Sequence, residues 1–316
     1  MPAPVHTDRN NRSNIAMDKN APSKAYQPID TMLVCLDLTQ MDPFLIRYAG
    51  FMANLLAPRT VTFLHVIQAY DLPDRGQKNF PDVDSELQDI VRENMNQSVK
   101  ANFKEKIQWK VATGVGHEDA AMEIIRYIKD NAADITLIGQ KPGQDRRARY
   151  GKKVSAEAAC DILFVPRDAA RRVDPLVCVS DFSEAGTRVF ERALDITNTS
   201  GARLLPYFIT DPTRAYFPAT TNRSTQKYKA NCRKTYETFL KPYGLNPQSL
   251  PCLIESGDPT KSEAQIIYAA AEKRDAGLIL VGARGSTRIP TSHLGNLCES
   301  FHLMEKQIPV MIVKQA

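Results

Sequence analysis

The chain has 316 residues, of which 43% are hydrophobic and 24% charged, a composition typical of a globular protein with about two domains. Fifteen glycines and 20 prolines exclude a collagen-like or low-complexity chain, and the net charge of +5 argues against nucleic acid as a partner. No apolar segment approaches the roughly 20 residues that cross a bilayer. Six cysteines without CxxC spacing favour buried thiols in a reducing cytosol, so we expect a cytoplasmic protein.

Residues 1–30 are polar and lack periodicity, which is typical of a disordered leader. Apolar segments then alternate with amphipathic ones, and the predicted strands are 32–38, 61–67, 109–114, 135–139 and 161–166. The predicted helices are one with Asp42 as N-cap and Pro43 in its first turn, one over 84–107, one over 118–131, and a short one before the fifth strand. This order predicts a parallel sheet covered on both faces.

The same pattern then starts again. Asp37 and Asp181 are 144 positions apart, and Gly139 and Gly282 are 143 apart. The matched segments of the second copy are 176–196, 203–209, 255–282 and 309–314. We therefore predict two tandem α/β units, residues 31–166 and 175–316, joined by a linker over 167–174.

Ligands of open parallel sheets bind beyond the carboxyl ends of the strands, where the strand order reverses. After the fourth strand of the second unit, residues 282–296 have the pattern Gly-x2-Gly-x9-Gly-Asn, which places Gly282, Gly285, Gly295 and Asn296 in one loop. Glycine allows tight turns and close backbone approach, and N–H groups at a helix start favour phosphate oxygens. The loop therefore predicts a phosphate cradle, to which Arg284 adds positive charge.

This second unit resembles a universal stress protein domain. The resemblance is carried by VCVSDFSEAG at 177–186, by SGDPTKSEAQII at 256–267, and by VGARG-x9-GN followed by PVMIV. The ATP-binding branch of that family has Ser or Thr after the last glycine, and this sequence departs from it at Asn296. Repeat for repeat, the resemblance covers nearly the whole chain.

The resemblance implies two tandem five-stranded, Rossmann-like domains of the adenine nucleotide alpha hydrolase-like fold, packed as a pseudo-dimer through their final strands. It places Asp181 at the base and ribose end of ATP, the backbone of Val281 and Gly282 along the adenine, and Gly285, Gly295 and Asn296 around the triphosphate. Arg284 would face phosphate. The complete implied site is Val179, Asp181, Val281, Gly282, Arg284, Gly285, Gly295, Asn296 and Leu297. Asp181-x-x-Glu184 and Asp37-x-x-Gln40 also fit helix-capping boxes, a role compatible with ligand contact.

The corresponding loop of the first unit is degraded. Gly139, Gly143 and Gly151 have the spacing Gly-x3-Gly-x7-Gly, Pro142 removes a donor N–H, and Lys152 replaces the Ser or Thr. We therefore predict weak ATP binding here, or none. The same loop carries a basic cluster, which consists of Lys141, Arg146, Arg147, Arg149, Lys152 and Lys153. The cluster is either part of a solvated loop or a site that binds an anion such as a polyphosphate.

No GxxxxGK[ST], HExxH, GxSxG or GxGxxG motif is present, and no base–nucleophile pair can be named. His65 fits a core position, whereas His117 and His293 are weaker ligand candidates. The resemblance implies a stress-response regulatory protein that binds ATP or a related adenine nucleotide, with or without Mg²⁺. Such a protein would hydrolyse the nucleotide little or not at all, and it would form a homodimer. The alternatives are a nucleotide-free dimeric scaffold and, less favoured, an enzyme such as a nucleotidyl transferase.

Overall fold

The computed structural model describes residues 28–68, 83–116, 119–140, 148–210, 222–256, 258, 260–283, 297, 300–301, 304 and 307–314. The strands of this part of the chain are β1 Thr31–Leu36, β2 Thr60–Gln68, β3 Gln108–Gly116, β4 Ile135–Gln140, β5 Asp161–Pro166, β6 Leu176–Val179, β7 Leu204–Thr210, β8 Leu253–Ser256, β9 Leu278–Gly282 and β10 Val310–Val313. The helices are α1 Asp42–Leu56, α2 Val83–Asn102, α3 Ala120–Asp130, α4 Ala148–Glu157, α5 Glu184–Ser200, α6 Asn222–Leu240 and α7 Glu263–Lys273.

All ten of these strands form one sheet, in the order β3-β2-β1-β4-β5-β10-β9-β6-β7-β8. Within each half every pairing is parallel, and the order reverses between β1 and β4 and again between β6 and β9. The register repeats as well, because Met32 pairs with Ile135 and its counterpart Leu176 pairs with Leu278. The two predicted α/β units are therefore confirmed as copies of one topology.

The halves meet through their last strands. β10 runs antiparallel to β5, with Val310 opposite Phe164 and Ile312 opposite Ile162. Both strands are buried along their whole length. Each would otherwise be an exposed edge strand of its own unit, and each is covered by pairing with the other. This pairing confirms the predicted pseudo-dimer through the final strands.

Helices cover both faces of the sheet. One face carries α1, α2, α5 and α6, and its apolar core runs continuously across both units. The other face carries α3, α4 and α7, with Ile128 and Tyr268 among its buried residues. Parallel strands buried on two faces need apolar residues at consecutive positions, which explains the continuous apolar segments of the sequence.

The structure differs from the sequence predictions at several element ends, and β1 ends at Leu36 instead of residue 38. α2 ends at Asn102, five residues before the predicted boundary at 107. Ile29, inside the predicted leader, is only 4% exposed and packs in the core, while Asp30 pairs with Arg59 at 2.7 Å. A single isoleucine in a polar segment gives no periodicity, so the pattern could not reveal this contact.

The cysteines of the described segments are free thiols. Cys160 and Cys178 are buried as predicted, and burial raises the pKa of Cys160 to about 12. A thiol with so high a pKa is a poor nucleophile, because the thiolate is the reactive form. Cys160 is therefore best described as a packing residue.

Candidate functional site

The topology brings four of the predicted site residues together. Val179 and Val281 are paired in register on β6 and β9, where the strand order of the second unit reverses. Asp181 follows two residues after Val179, and Gly282 ends β9. Leu297 is partly buried against the core cluster that contains Val281. Arg284, Gly285, Gly295 and Asn296 lie outside the described residues and stay predictions.

The turn after β6 holds the Asp181 carboxylate in a fixed position. Its Oδ1 accepts hydrogen bonds from the backbone N–H of Ser183 at 3.0 Å and from the Ser183 hydroxyl at 2.6 Å. Its Oδ2 is buried and has no hydrogen-bond partner within the described part of the chain. Leaving a buried acceptor unsatisfied costs about 1–3 kcal/mol. The turn therefore presents one carboxylate oxygen that a donor from outside could satisfy.

The capping box predicted for Asp181 and Glu184 is wrong. The N-cap of α5 is Ser183, whose hydroxyl accepts the Gly186 N–H at 3.2 Å. Asp181 instead braces the turn two residues earlier, because an aspartate readily bonds to its own backbone two residues on. The carboxylate is thus not committed to the helix end.

Gly186 lies against this turn so closely that a side chain would not fit. A β-carbon on Gly186 would lie 2.4 Å from Ser180 Oγ and 2.9 Å from Asp181 Oδ1. Ser180 is itself buried, and its hydroxyl accepts the backbone N–H of Phe182 at 3.1 Å. The glycine therefore lets the first turn of α5 approach the carboxylate without displacing it.

Phe182 anchors the turn to the helical layer. Its backbone is left-handed, with φ of 55°, and its ring lies 4.8 Å from that of Tyr236 and 5.3 Å from that of Phe239, both on α6. Aromatic contacts of this kind contribute about 0.5–1.5 kcal/mol each beyond simple burial. α6 therefore stabilises the conformation of the loop that carries Asp181.

The first unit builds the same turn from different residues. Leu38 has the same left-handed backbone, with φ of 58°, and the Thr39 hydroxyl donates to Asp37 Oδ1 at 2.5 Å. Asp42, however, lies where the second unit has Gly186. Its buried carboxylate accepts the N–H groups of Asp37 at 3.1 Å and Leu38 at 2.9 Å.

These contacts overturn two predicted caps. Asp42 is not the N-cap of α1, because Met41 holds that position and Asp42 already belongs to the first helical turn. The capping box predicted for Asp37 and Gln40 is also wrong, because the N-cap of α1 is Met41 and not Asp37, and this N-cap makes no side-chain hydrogen bond. The Asp42 carboxylate is used to satisfy the preceding turn.

Met41 fills the first unit's crevice. It is 4% exposed and lies over the end of β4, where a β-carbon on Gly139 would be 3.0 Å from Met41 Cγ. The corresponding residues of the second unit are the smaller Ala185 and Gly282. Met41 and Asp42 together occupy the carboxyl-end crevice of the first unit, in line with the prediction that it binds ATP weakly or not at all.

The basic cluster of the first unit is only partly described. Lys141, Arg146 and Arg147 lie outside the described residues, and Arg149 is part of α4. Lys152 and Lys153 also lie on α4, and the Lys153 ammonium pairs with Asp119 at 2.9 Å. That pair links the start of α3 to α4, so Lys153 has a structural role.

Neither His117 nor His293 lies within the described residues. His65 is half-buried on β2, and its Nδ1 donates to the Leu36 carbonyl at 3.0 Å. This bond ties β2 to the end of β1, in agreement with a core position.

Among the described side chains, no group of three or more His, Cys, Asp and Glu residues could hold a metal ion. The described helices also include none long and apolar enough to cross a membrane.

The buried Asp42 carboxylate is expected to make the free energy of unfolding depend on pH. Burial raises the pKa of Asp42 to about 7, with a further contribution from the neighbouring Asp37, against the opposing effect of the two N–H donors. The folded chain thus retains a proton that the unfolded chain loses near pH 4, so raising the pH through 4–7 lowers the free energy of unfolding. We expect Asp42→Asn to remove this part of the pH dependence.

Urea unfolding at pH 5 and pH 8 measures the effect. The decline in unfolding free energy between these pH values should be smaller in Asp42→Asn than in the unmodified protein. Asp89→Asn, which removes an exposed carboxylate on α2, is the control and should leave the decline unchanged. An unchanged decline in Asp42→Asn would show that this group titrates normally.

The geometry defines a class of protein, a tandem pair of Rossmann-like units, each with a switch point in its strand order. Residues 173–314 match the universal stress protein family. The match falls on the C-terminal half of the chain, where the motifs predict it. None of the curated proteins matches the chain.

Solved structures resemble the chain over nearly its full length. A universal stress protein from Archaeoglobus fulgidus DSM 4304 is 20% identical and has a TM-score of 0.64, with 92% of this chain and 98% of that chain covered. A functionally unknown protein from Pseudomonas aeruginosa PAO1 is 16% identical and has a TM-score of 0.62, with 92% and 95% covered. These likenesses extend the shared fold to both halves of the chain.

Proposed function

We propose that the chain is a stress-response regulatory protein that binds ATP or a related adenine nucleotide in its second unit. The observation that carries the proposal is the buried Oδ2 of Asp181, an acceptor just beyond the carboxyl end of β6 with no partner in the described part of the chain. Ribose hydroxyls are donors of the kind that this oxygen lacks. The first unit would have diverged from the same family and lost the site.

Neighbouring residues fit the same assignment. Val179, Val281 and Gly282 would border the adenine through apolar contact and backbone, and Leu297 would close the far side. Arg284, Gly285, Gly295 and Asn296 would hold the phosphates, with N–H donors and one guanidinium. Any Mg²⁺ would be bound chiefly by phosphate oxygens and water, as is usual for this ion.

Hydrolysis would be slow. Oδ1 of Asp181 is occupied by two donors from Ser183, and the role assigned to Oδ2 is to bind a hydroxyl. Neither oxygen is assigned to activating water. Nucleotide would then act by favouring the conformation or association state for which it has higher affinity.

A nucleotide-free dimeric scaffold is the second candidate. It is favoured by the first unit, whose crevice is filled by Met41 and Asp42. The pairing of β5 with β10 already covers the two terminal strands within one chain, so a further homodimer would need another surface.

Substitutions in the two glycine loops test the proposal. Gly285→Trp is expected to weaken MgATP binding at least about tenfold, a change of 1.4 kcal/mol, because a large side chain would exclude phosphate from the backbone. Gly143→Trp, the matched change in the first unit, should leave the affinity unchanged. Isothermal titration measures both, and chromatography of the denatured protein detects any nucleotide that copurifies.

Equal losses in the two variants would contradict the assignment to the second unit. No binding of millimolar MgATP by the unmodified protein, and no nucleotide released on denaturation, would favour the scaffold. ATP turnover that disappears when a single carboxylate is replaced would instead support an enzyme.

A further inference from the structure

One end of the ten-stranded sheet is a long edge strand. β3 is the outermost strand of the first unit, and each of its nine residues pairs with a residue of β2. Within the described part of the chain, no strand pairs with its outer side. Successive residues of a parallel strand point their backbone groups alternately to the two sides, so every second residue of β3 has an N–H and a C=O without a strand partner. An edge of this length can bind another strand.

The opposite edge of the sheet is shorter and less suited to pairing. β8 has only four residues and begins two positions after Pro251, and short strands and nearby prolines limit edge pairing. β3 is more than twice as long and has a single charged residue, Lys110. Gly114 has no side chain, so its partial exposure is exposure of the backbone itself. Of the two edges that the described strands form, β3 is therefore the one open to a partner.

One face of β3 presents a row of partly exposed apolar side chains. Trp109, Val111 and Val115 pack against the core on the side of α2, yet none of them is fully buried. The ring centroids of Trp109 and Phe63 are 6.4 Å apart, which fixes the inner side of the indole against β2. A strand added to the edge would cover the outer side of this row, and removing apolar surface from water favours association.

The other face carries two opposite charges at separate places. Lys110 and Gly114 lie on the side of α3, because side chains alternate along a strand. The Glu123 side chain of α3 lies over Gly114, since a β-carbon on this glycine would be 2.9 Å from Glu123 Cγ and 3.3 Å from Glu123 Oε1. Glu123 Oε2 pairs with the exposed Arg126 at 3.0 Å, which leaves Oε1 on the side of the glycine. Lys110 is exposed and lies about 13 Å along the strand from Gly114, too far to pair with this carboxylate.

We propose that β3 pairs antiparallel with β3 of a second copy of this chain, about a two-fold axis at Ala112. Antiparallel hydrogen bonds form in pairs, so both opposed residues must point outward, and their positions must therefore differ by an even number. An axis at Ala112 meets this condition and opposes all nine residues of the two strands. Ala112 then faces its own counterpart, where a small side chain permits close approach.

This register is self-complementary on both faces. Directly opposed residues of an antiparallel pair project to the same side of the sheet. Lys110 of each copy lies opposite Gly114 of the other copy, where the missing side chain leaves room beside Glu123. Two symmetric Lys110–Glu123 pairs thus connect the copies. On the other face, Trp109 of each copy lies opposite Val115 of the other.

The dimer does not depend on the proposed nucleotide site. β3 is at one end of the sheet, whereas Val179 and Val281 of that site lie on β6 and β9 in the second unit. The pairing of β5 with β10 already joins two copies of one unit through antiparallel edges, and the dimer repeats this mode of association between chains. Gly285→Trp should therefore dimerise as the unmodified protein does.

Charge reversal on the two sides of the axis tests the dimer. Sedimentation velocity of the unmodified protein is expected to show a dimer with a Kd on the order of 10 μM, because an edge of about 30 Å gives a small interface. Lys110→Glu or Glu123→Lys alone should weaken it at least about tenfold, since each places like charges at both contacts. Lys234→Glu reverses an exposed charge on α6 and is the matched control, which should dimerise normally.

Two rescues complete the test. An equimolar mixture of Lys110→Glu and Glu123→Lys should form a heterodimer, because opposite charges then meet at both contacts, and the double variant should regain the homodimer. Trp109 is the single tryptophan of the chain, so its emission should shift to shorter wavelength as rising protein concentration removes it from water. The proposal is overturned if the unmodified protein stays monomeric at ten times the expected Kd, if both charge reversals dimerise normally, or if the mixture does not associate.

Discussion

Asp161→Ala is expected to lower the free energy of unfolding by about 3–5 kcal/mol, because it removes the buried carboxylate that pairs with a buried guanidinium. The other carboxylate paired with Arg192, that of Asp195 at 3.5 Å, is exposed and compensates less. Asp161 on β5 and Arg192 on α5 are each 3% exposed, and the Arg192 Nε lies 3.0 Å from Asp161 Oδ2. Asp161 Oδ1 also accepts the backbone N–H of Lys314 at 2.9 Å. One carboxylate thus connects the first unit to a helix and to the last strand of the second, and urea unfolding measures the loss.

Two variants separate the buried pair from a generic loss of charge. Asp30→Ala removes the carboxylate of the exposed pair with Arg59 and should cost no more than about 1 kcal/mol. Asp161→Asn combined with Arg192→Met removes both charges but retains an acceptor for the Lys314 N–H, so it should recover most of the stability. If Asp161→Ala costs no more than Asp30→Ala, the buried pair does not stabilise the fold as expected.

Installing the first unit's turn in the second unit is expected to abolish nucleotide binding. The change is Ser180→Leu with Gly186→Asp, which copies Leu36 and Asp42. Asp42 shows that the turn folds with a carboxylate at this position, where it satisfies two backbone N–H groups. In the second unit that carboxylate would lie beside Asp181 and repel both it and the phosphates, so we expect a loss of at least about 100-fold, or 2.8 kcal/mol.

The reciprocal exchange is the control. Leu36→Ser with Asp42→Gly changes the first unit in the opposite sense and should leave the ATP affinity of the chain unchanged. Circular dichroism and the unfolding midpoint verify that both double variants are folded. Retention of full affinity by Ser180→Leu/Gly186→Asp would mean that the nucleotide does not bind at the Asp181 turn.

The order of elements was predictable because each depends on short-range patterns. Continuous apolar segments such as 135–139 and 161–166 are required of strands buried on both faces, and the repeat offset predicts that both units share one topology. The pairing of β5 with β10 followed from the family resemblance. It agrees with the buried character of both strands, which an exposed edge would not tolerate.

The sequence predictions failed where one residue type can serve two structural roles. Asp42 precedes a proline and fits an N-cap, yet its carboxylate turns back to the Asp37 and Leu38 N–H groups. Asp181 fits the first position of a capping box, but Ser183 takes the cap. One signal in the sequence does distinguish the two turns, because the offset of 144 aligns Asp42 with Gly186.

Long-range electrostatic contacts left no local pattern at all. Asp161 and Arg192 are 31 positions apart, and Asp161 and Lys314 are 153 apart. Only the antiparallel meeting of β5 and β10 brings these groups to one place. The buried pair could therefore be recognised only from the structure.

Titration calorimetry of the unmodified chain with MgATP, after removal of any copurified nucleotide, tests the central claim most directly. One nucleotide per chain is expected, because Asp181 Oδ2 has no hydrogen-bond partner in the described part of the chain, while Met41 and Asp42 pack at the corresponding place of the first unit. A stoichiometry of two, or no binding at all, would contradict it.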